Sequence, residues 1–502
     1  MCLLCQQNPD SYFHTVGETG LQILTPDAGA AALPTLEYDD IALYLTEGYW
    51  DDKADEYSNP DIIPHHFDIP VGGTLTIDLS TLEASGRYLA EMALQAWTMV
   101  SGIVFSITDT AGADITFTDD IELDENDNET NPYGGSAWWL PSGNSVDGYV
   151  NISTNWVDYY GTGLDSYSFQ TYMHEIGHAL GLGHAGNYNG EGVGYAVDGS
   201  GSNDYLNDSW QATVMSYFSQ GEAGTGSSNL LLTPMIADIL AIQSLYGTIG
   251  TLRTGDTTYG EGSNAGGYYD SALEADSSFT IIDDGGTDTI NFSTETANQR
   301  VNLNAETISD VGGLVGNMII MRDTIIENFV SGSGNDSITG NAADNKIWGG
   351  LGIDVIHGGG GNDVIHGNGH ADTIYGEGGN DGLRGGAGRD VLYGGAGDDV
   401  LRGGIGRDKL IGGTGEDTFF FKKGWAVDTI KDFEDDIDTI KLDSTLWGGG
   451  LSVAQVLAAY GSVETNPGNG SSFIRLDFGD GDALKIRGVS DLNALLDDIT
   501  IF

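Results

Sequence analysis

Residues 385–393 read Gly-Gly-Ala-Gly-Arg-Asp-Val-Leu-Tyr, and residues 394–402 read Gly-Gly-Ala-Gly-Asp-Asp-Val-Leu-Arg. The pattern Gly-Gly-x-Gly-x-Asp-x-apolar-x recurs in one register over a long stretch. Aspartates fall at Asp336, Asp354, Asp363, Asp372, Asp381, Asp390, Asp399, Asp408 and Asp417, and Asn345 fills the one gap. Two residues after each comes an apolar side chain, from Ile338, Ile347 and Ile356 through Leu410 and Phe419. A period of nine is the mark of a stacked repeat. The apolar residue of each short strand points inward. The glycine-rich turn exposes backbone carbonyls, and the aspartate adds carboxylate oxygens. Successive turns then supply an all-oxygen cage, which is what calcium prefers. Alternate repeats form opposite sides of a parallel β-roll with about eighteen residues per full turn. The nine aspartates are therefore the candidate calcium ligands. A linker merely rich in Gly and Asp would not keep ten apolar positions in phase. Asp283-Asp284-Gly285-Gly286-Thr287-Asp288-Thr289-Ile290 reads as a degenerate first member. Without calcium the aspartate rows repel, and one apolar residue per repeat does not offset chain entropy. This region is expected to be unfolded at low calcium.

Composition agrees with cation binding. The chain has 502 residues, 18 Lys+Arg and 75 Asp+Glu, for a net charge of −57. Such a surface does not neutralise phosphates, which excludes nucleic acid as a partner. Glycine numbers 77, as many tight turns require. The two cysteines, Cys2 and Cys5, give no disulfide framework. The first residues lack the basic and apolar segments of a secretory signal, and no run of about 18 apolar residues would span a membrane. A monomer is expected.

Residues 1–35 lack periodicity and read as a leader or propeptide, so the protein is expected to be made as a zymogen. Its two thiols are read as incidental rather than as a cap on a metal. Residues 36–250 form an α+β domain. Thr74–Leu79, Ile103–Ile107, Asp114–Thr118 and Val150–Ser153 alternate as strands. Leu89, Met92, Ala93, Ala96, Trp97 and Val100 recur at helical spacing and place a helix over 82–100. Ala137-Trp138-Trp139-Leu140 reads as a strand, either buried or lining a cleft. In the second case Ala137, Trp138 and Trp139 bind an extended peptide by β-addition. Thr233-Pro234 opens a helix that runs to Tyr246, with Pro in its first turn.

Within this domain, residues 174–184 read His-Glu-Ile-Gly-His-Ala-Leu-Gly-Leu-Gly-His. On a helix, His174 and His178 leave the same face one turn apart. That spacing suits two ligands of one zinc ion, and Glu175 stands ready to take a proton from water. His184 would point away on a continuing helix, so the helix must stop. Gly181 permits this by adopting a left-handed conformation. Three His with an open fourth position is the arrangement of a catalytic zinc.

This stretch resembles the zinc signature of the metzincin metallopeptidases. Met215-Ser216-Tyr217 resembles that clan's Met-turn, and Pro234 through Gly247 resembles the closing helix of the serralysin family. With the repeats, which resemble those of repeats-in-toxin proteins, the likeness covers roughly residues 40–502. It departs at Ala185, where serralysins usually carry Pro. The resemblance implies a metzincin catalytic domain followed by an all-β calcium-binding roll over 251–421. It implies that Met215 floors the zinc site, and that Tyr217 is a displaceable zinc ligand whose hydroxyl stabilises the tetrahedral intermediate. It further implies export by a type I secretion machinery that reads a C-terminal signal. Residues 422–502, with Asp498-Ile499-Thr500-Ile501-Phe502 at their end, are read as a β region carrying that signal.

The function expected is therefore a secreted, extracellular zinc endopeptidase that hydrolyses protein or peptide substrates. Zinc is its catalytic cofactor and calcium its structural one. The alternative is a calcium-dependent adhesin or surface scaffold with a vestigial zinc domain.

Overall fold

The computed structural model describes residues 34–56, 64–119, 135–142, 145–186, 205–219, 226–227, 229–248, 252–266, 277–466, 468 and 470–502, with the backbone alone over 53–56, 135–142 and 145–147. The leader expected over 1–35 lies outside them up to residue 33. Two compact units result. The first holds the chain up to Leu252 together with 266–284 and 314–321, and the second holds 253–265, 285–313 and 322–502.

In the first unit α1 (Tyr38–Leu43) runs through one π-helical turn, Tyr44–Gly48, into α2 (Tyr49–Glu56). Then come β1 (Thr74–Asp78), α3 (Ala84–Ser101), β2 (Val104–Ile107) and β3 (Ile115–Thr118). They are followed by β4 (Gly135–Ser142), β5 (Ser145–Ile152), α4 (Thr154–Tyr160), α5 (Tyr167–Ala179) and, beyond the site, α6 (Ile236–Tyr246). The sheet order is β2-β1-β3-β5-β4, with only β4 antiparallel to its neighbour. Leu75, Ile77 and Leu79 are buried as the alternation requires. The apolar stripe of α3 is buried too, and Trp97 Nε1 donates to the Met173 carbonyl at 3.0 Å, which fixes α3 against α5. Gly102, at φ 69°, ends α3.

Two boundaries differ from the pattern-based reading. β5 begins at Ser145, five residues before Val150. Its polar first half has no alternation, but β4 pairs with it from Ser145 on, and β3 joins on the other side from Gly148. α6 begins at Ile236 with Met235 as N-cap, so Pro234 stands outside it. The reason is Asp238, which takes the Met235 N–H at 2.8 Å and sets the first turn there. Beyond residue 250, two apolar strands also belong to this unit. Ser277–Ile281 pairs with Leu230–Leu231 and with Met318–Ile320, all parallel.

The second unit is a roll of two sheets of ten strands each. Alternate repeats lie in opposite sheets, and each residue pairs with the one eighteen positions on. Ile347, Ile365, Leu383, Leu401 and Phe419 align in one sheet, and Ile338, Ile356, Ile374, Leu392 and Leu410 in the other. All are at most 1% exposed. Thr289–Asn291, in the degenerate member, pairs with Asn328–Val330. Strand pairing begins earlier than the repeats, at Thr258–Gly260. At the other end Thr439–Leu442 and Ile499–Ile501 continue one sheet.

Candidate metal centre

α5 starts where Ser166 Oγ accepts the Phe169 N–H at 3.2 Å, which caps an otherwise orphaned donor. It ends at Ala179. Gly181, at φ 110°, reverses the chain, and the Leu182 N–H returns to the Gly177 carbonyl at 3.0 Å. A Cβ on Gly181 would stand 2.1 Å from the His65 carbonyl oxygen, so only glycine fits. This reversal swings His184 back toward the helix.

The three imidazoles converge. His178 Nε2 lies 3.1 Å from His174 Nε2 and 3.0 Å from His184 Nε2. Among the described residues they form one of two clusters able to hold a metal. Two of the opposite nitrogens are engaged with carbonyls. His174 Nδ1 lies 2.8 Å from the Val214 carbonyl oxygen, and His178 Nδ1 lies 2.7 Å from that of Leu182. As N–H donors there, both rings turn an Nε2 lone pair inward, which is the tautomer a metal needs. Burial pushes His174 down to about 4 and holds His178 well below the usual imidazole range. Neutral, convergent imidazoles fit zinc. Glu175 follows His174 on the helix and is 3% exposed.

Met215 and Tyr217 sit on a tight turn beside the helix. Met215 is fully buried, and its sulfur packs so closely on Gly177 that an added Cβ would stand 2.7 Å from Sδ. The Tyr217 ring centroid lies 4.7 Å from that of His184 and 5.9 Å from that of His174. The Ala185 N–H donates to the Met215 carbonyl at 3.3 Å, tying the third histidine's neighbour to the turn. A proline at 185 would lack that donor.

The single-sequence reading passed over Asp238. It is fully buried in α6 and accepts from the Thr213 hydroxyl, from the Val214 N–H at 2.8 Å and from the Met235 N–H. Burial pushes it up to about 7. The Val214 carbonyl in turn meets His174, so Asp238 fixes a ligand through one peptide. A lone acid inside the apolar run Ile236-Ala237-Asp238-Ile239-Leu240 was the available signal. Tyr49 was missed as well. Its ring meets that of His184 edge-on at 5.3 Å, and Trp50 Nε1 donates to the Gly181 carbonyl at 3.1 Å. No pattern links these aromatics to the site.

β4 is the outermost strand of its sheet, as a cleft-lining strand should be. The side chains of Ala137, Trp138 and Trp139 lie outside the described residues.

The roll offers a second set of metal-binding groups. In each of Asp354, Asp363, Asp372, Asp381, Asp390 and Asp399, Oδ1 accepts the N–H of the residue eighteen positions earlier. The Oδ2 of each is buried and takes no hydrogen bond among the described residues. Those oxygens face the glycine turns. A Cβ on Gly376 would stand 2.2 Å from Asp381 Oδ2 and 2.5 Å from the Gly394 carbonyl oxygen. A buried carboxylate oxygen beside backbone carbonyls fits calcium. Asp336 differs, because its Oδ2 accepts from the Ser331 hydroxyl at 2.5 Å.

The fold and the site thus define an α+β domain with a three-histidine metal centre, and a parallel β-roll. Residues 92–241 match a family model described as metallo-peptidase family M12B, reprolysin-like, and residues 249–456 match one described as peptidase M10 serralysin C terminal. The chain is serralysin-like. It is 36% identical over 295 residues to a serralysin of Photorhabdus luminescens, covering 58% of this chain and 57% of that protein. It is 37% identical over 270 residues to the metalloprotease AprA of Pseudomonas entomophila, covering 51% and 53%. It is 38% identical over 256 residues to serralysin C of Dickeya chrysanthemi, covering 49% and 51%. The chain thus spans somewhat over half the length of the curated relatives it matches. A solved subunit of the Azotobacter vinelandii mannuronan C5-epimerase aligns with 30% of this chain and 80% of that one, at 27% identity and a TM-score of 0.15, too low to argue a fold from.

Proposed function

We propose that this chain is a secreted, calcium-dependent zinc endopeptidase acting on extracellular proteins. The convergence of three Nε2 atoms on one helix-and-turn, with Glu175 beside them, carries the reading. His174, His178 and His184 would hold the zinc, and Tyr217 would serve as a displaceable further ligand. Zinc, when bound, supplies Lewis acidity toward water and the scissile carbonyl. Glu175 takes the proton of the attacking water and passes it to the leaving amine. Tyr217 donates its hydroxyl proton to the oxyanion as it develops. Met215 floors the site. β4 aligns the substrate backbone, with Ala137, Trp138 and Trp139 contacting it.

Calcium is held by Asp336, Asp354, Asp363, Asp372, Asp381, Asp390, Asp399, Asp408 and Asp417. The roll folds outside the cell, after export by a type I machinery that reads a signal in 422–502. The leader of 1–35 holds the enzyme as a zymogen, and 36–250 and 251–421 serve as catalytic and calcium-binding domains of a monomer. Among the described residues no helix is long and apolar enough to cross a membrane. The adhesin reading is not favoured, because a vestigial site has no reason to keep three oriented His, Glu175, Met215 and Tyr217 together.

Casein digestion with and without a zinc chelator tests the class of activity. Glu175→Ala should lower turnover by about 10²–10⁴-fold while zinc stays bound, measured by elemental analysis. Full activity in that variant would sink the mechanism.

A further inference from the structure

Away from the repeats, three carboxylates meet that the roll pattern does not include. One oxygen from each of Asp436, Asp497 and Asp498 lies within 4.8 Å of the other two. Asp436 and Asp497 are exposed, whereas Asp498 is 7% exposed. Asp498 Oδ2 is shut off from solvent and takes no hydrogen bond among the described residues. A buried carboxylate oxygen left without a donor is costly. The Asp498 carboxylate accepts the Asp436 backbone N–H, but the charges around it, on Asp435, Asp436 and Asp497, are all negative. No Lys or Arg is paired with any of the three among the described ion pairs. Such an arrangement is repulsive until a cation enters it.

We propose that Asp436, Asp497 and Asp498 form a further calcium site, separate from the rows of the roll. The donors are all carboxylate oxygens, which selects a hard divalent cation and disfavours zinc. Two of the three are at the surface, so the ion keeps water on its outer side, as calcium tolerates.

The site has a structural consequence. Asp498 directly precedes the strand Ile499–Ile501, which is the outermost strand of its ten-stranded sheet and pairs with Thr439–Leu442. Asp436 lies on the loop that leads into Thr439–Leu442. The Asp498 carbonyl already accepts the Ile440 N–H at 2.8 Å. An ion shared between the two segments staples the edge strand to the sheet, across about sixty residues of sequence. Backbone pairing on one side only leaves such a strand prone to fraying, so the ion acts where local stability is lowest.

Hydrogen exchange by mass spectrometry on the full chain, stripped of metal and then given calcium chloride, reads the site directly. Calcium at ten times the site's Kd should slow exchange of 499–501 about tenfold, since binding multiplies the closed population by 1 + [Ca]/Kd. In Asp498→Asn that protection should be lost while calcium still protects residues 355–414, so failure of the roll and failure of this site are distinguishable. Asp436→Asn and Asp497→Asn, at exposed positions, serve the same purpose if the buried substitution misfolds. Undiminished calcium protection of 499–501 in these exposed variants would overturn the site.

Discussion

The two units bury groups suited to a metal in opposite ways. In the first unit these are imidazoles, two of which, His174 and His178, are aimed by carbonyls, and an apolar core stands behind them. Trp97, Phe117, Phe169 and Tyr172 are fully buried there. In the second unit these are carboxylates, and each repeat buries an inward Ile, Leu or Phe. Burying one such side chain stabilises by about 1.5–3 kcal/mol. The first unit has an apolar core of its own, whereas under the proposed function the roll draws stability from calcium.

The largest expected effect would break that comparison outright. Chelating calcium at pH 8 should abolish the strand signal of the roll in circular dichroism; a spectrum indifferent to calcium would mean the apolar core suffices. Acid should partly substitute for calcium. Burial pushes Asp354, Asp363, Asp390 and Asp399 up to about 7 and Asp372 up to about 8. A carboxyl raised in the folded state contributes stability that is full below the unfolded value of about 4 and is lost as pH rises through about 7–8. The calcium-free roll should then hold more strand at pH 4 than at pH 8. The reverse order would show that the aspartates do not limit the metal-free fold.

Tyr217→Phe sharpens the other side. It should lower kcat by about 10²–10³-fold with little change in KM, as loss of an oxyanion donor does. An unchanged kcat would remove Tyr217 from the chemistry.

Asp238→Asn should do less. It weakens hydrogen bonds to Val214, Met235 and Thr213, at about 1–3 kcal/mol of stability. It should also loosen zinc about tenfold, because Val214 aims His174. Thermal unfolding and competition with a chelator would measure the two. Intact zinc affinity with lowered stability would confine Asp238 to the fold.

The smallest effect is local. Gly376→Ala crowds the Asp381 carboxylate and the Gly394 carbonyl, and should weaken one turn of the roll. Calcium titration followed by hydrogen exchange of 373–396 should show a loss confined to that turn; a loss over the whole roll would argue for one cooperative unit.

What could be read early follows from distance along the chain. Strand register in the roll was legible because each repeat touches only its neighbours, so a one-dimensional pattern specifies a one-dimensional object. The pair His174 and His178 was legible because helical geometry fixes spacing over four residues. Gly181 was legible because few residues adopt its conformation. By contrast, the polar start of β5 at Ser145 was set by its pairing with β4. The first turn of α6 was set by Asp238 rather than by Pro234.

The sequence by itself determined the ligand types, their local spacing and the period of the roll. Only the tertiary structure decided what holds them. The Val214 carbonyl on His174, Asp238 beneath Val214, Tyr49 against His184, and Asp436 beside Asp497 and Asp498 all join residues tens to more than a hundred positions apart. Such contacts carry no periodicity, because packing and the need to satisfy buried polar groups choose them after the chain has folded.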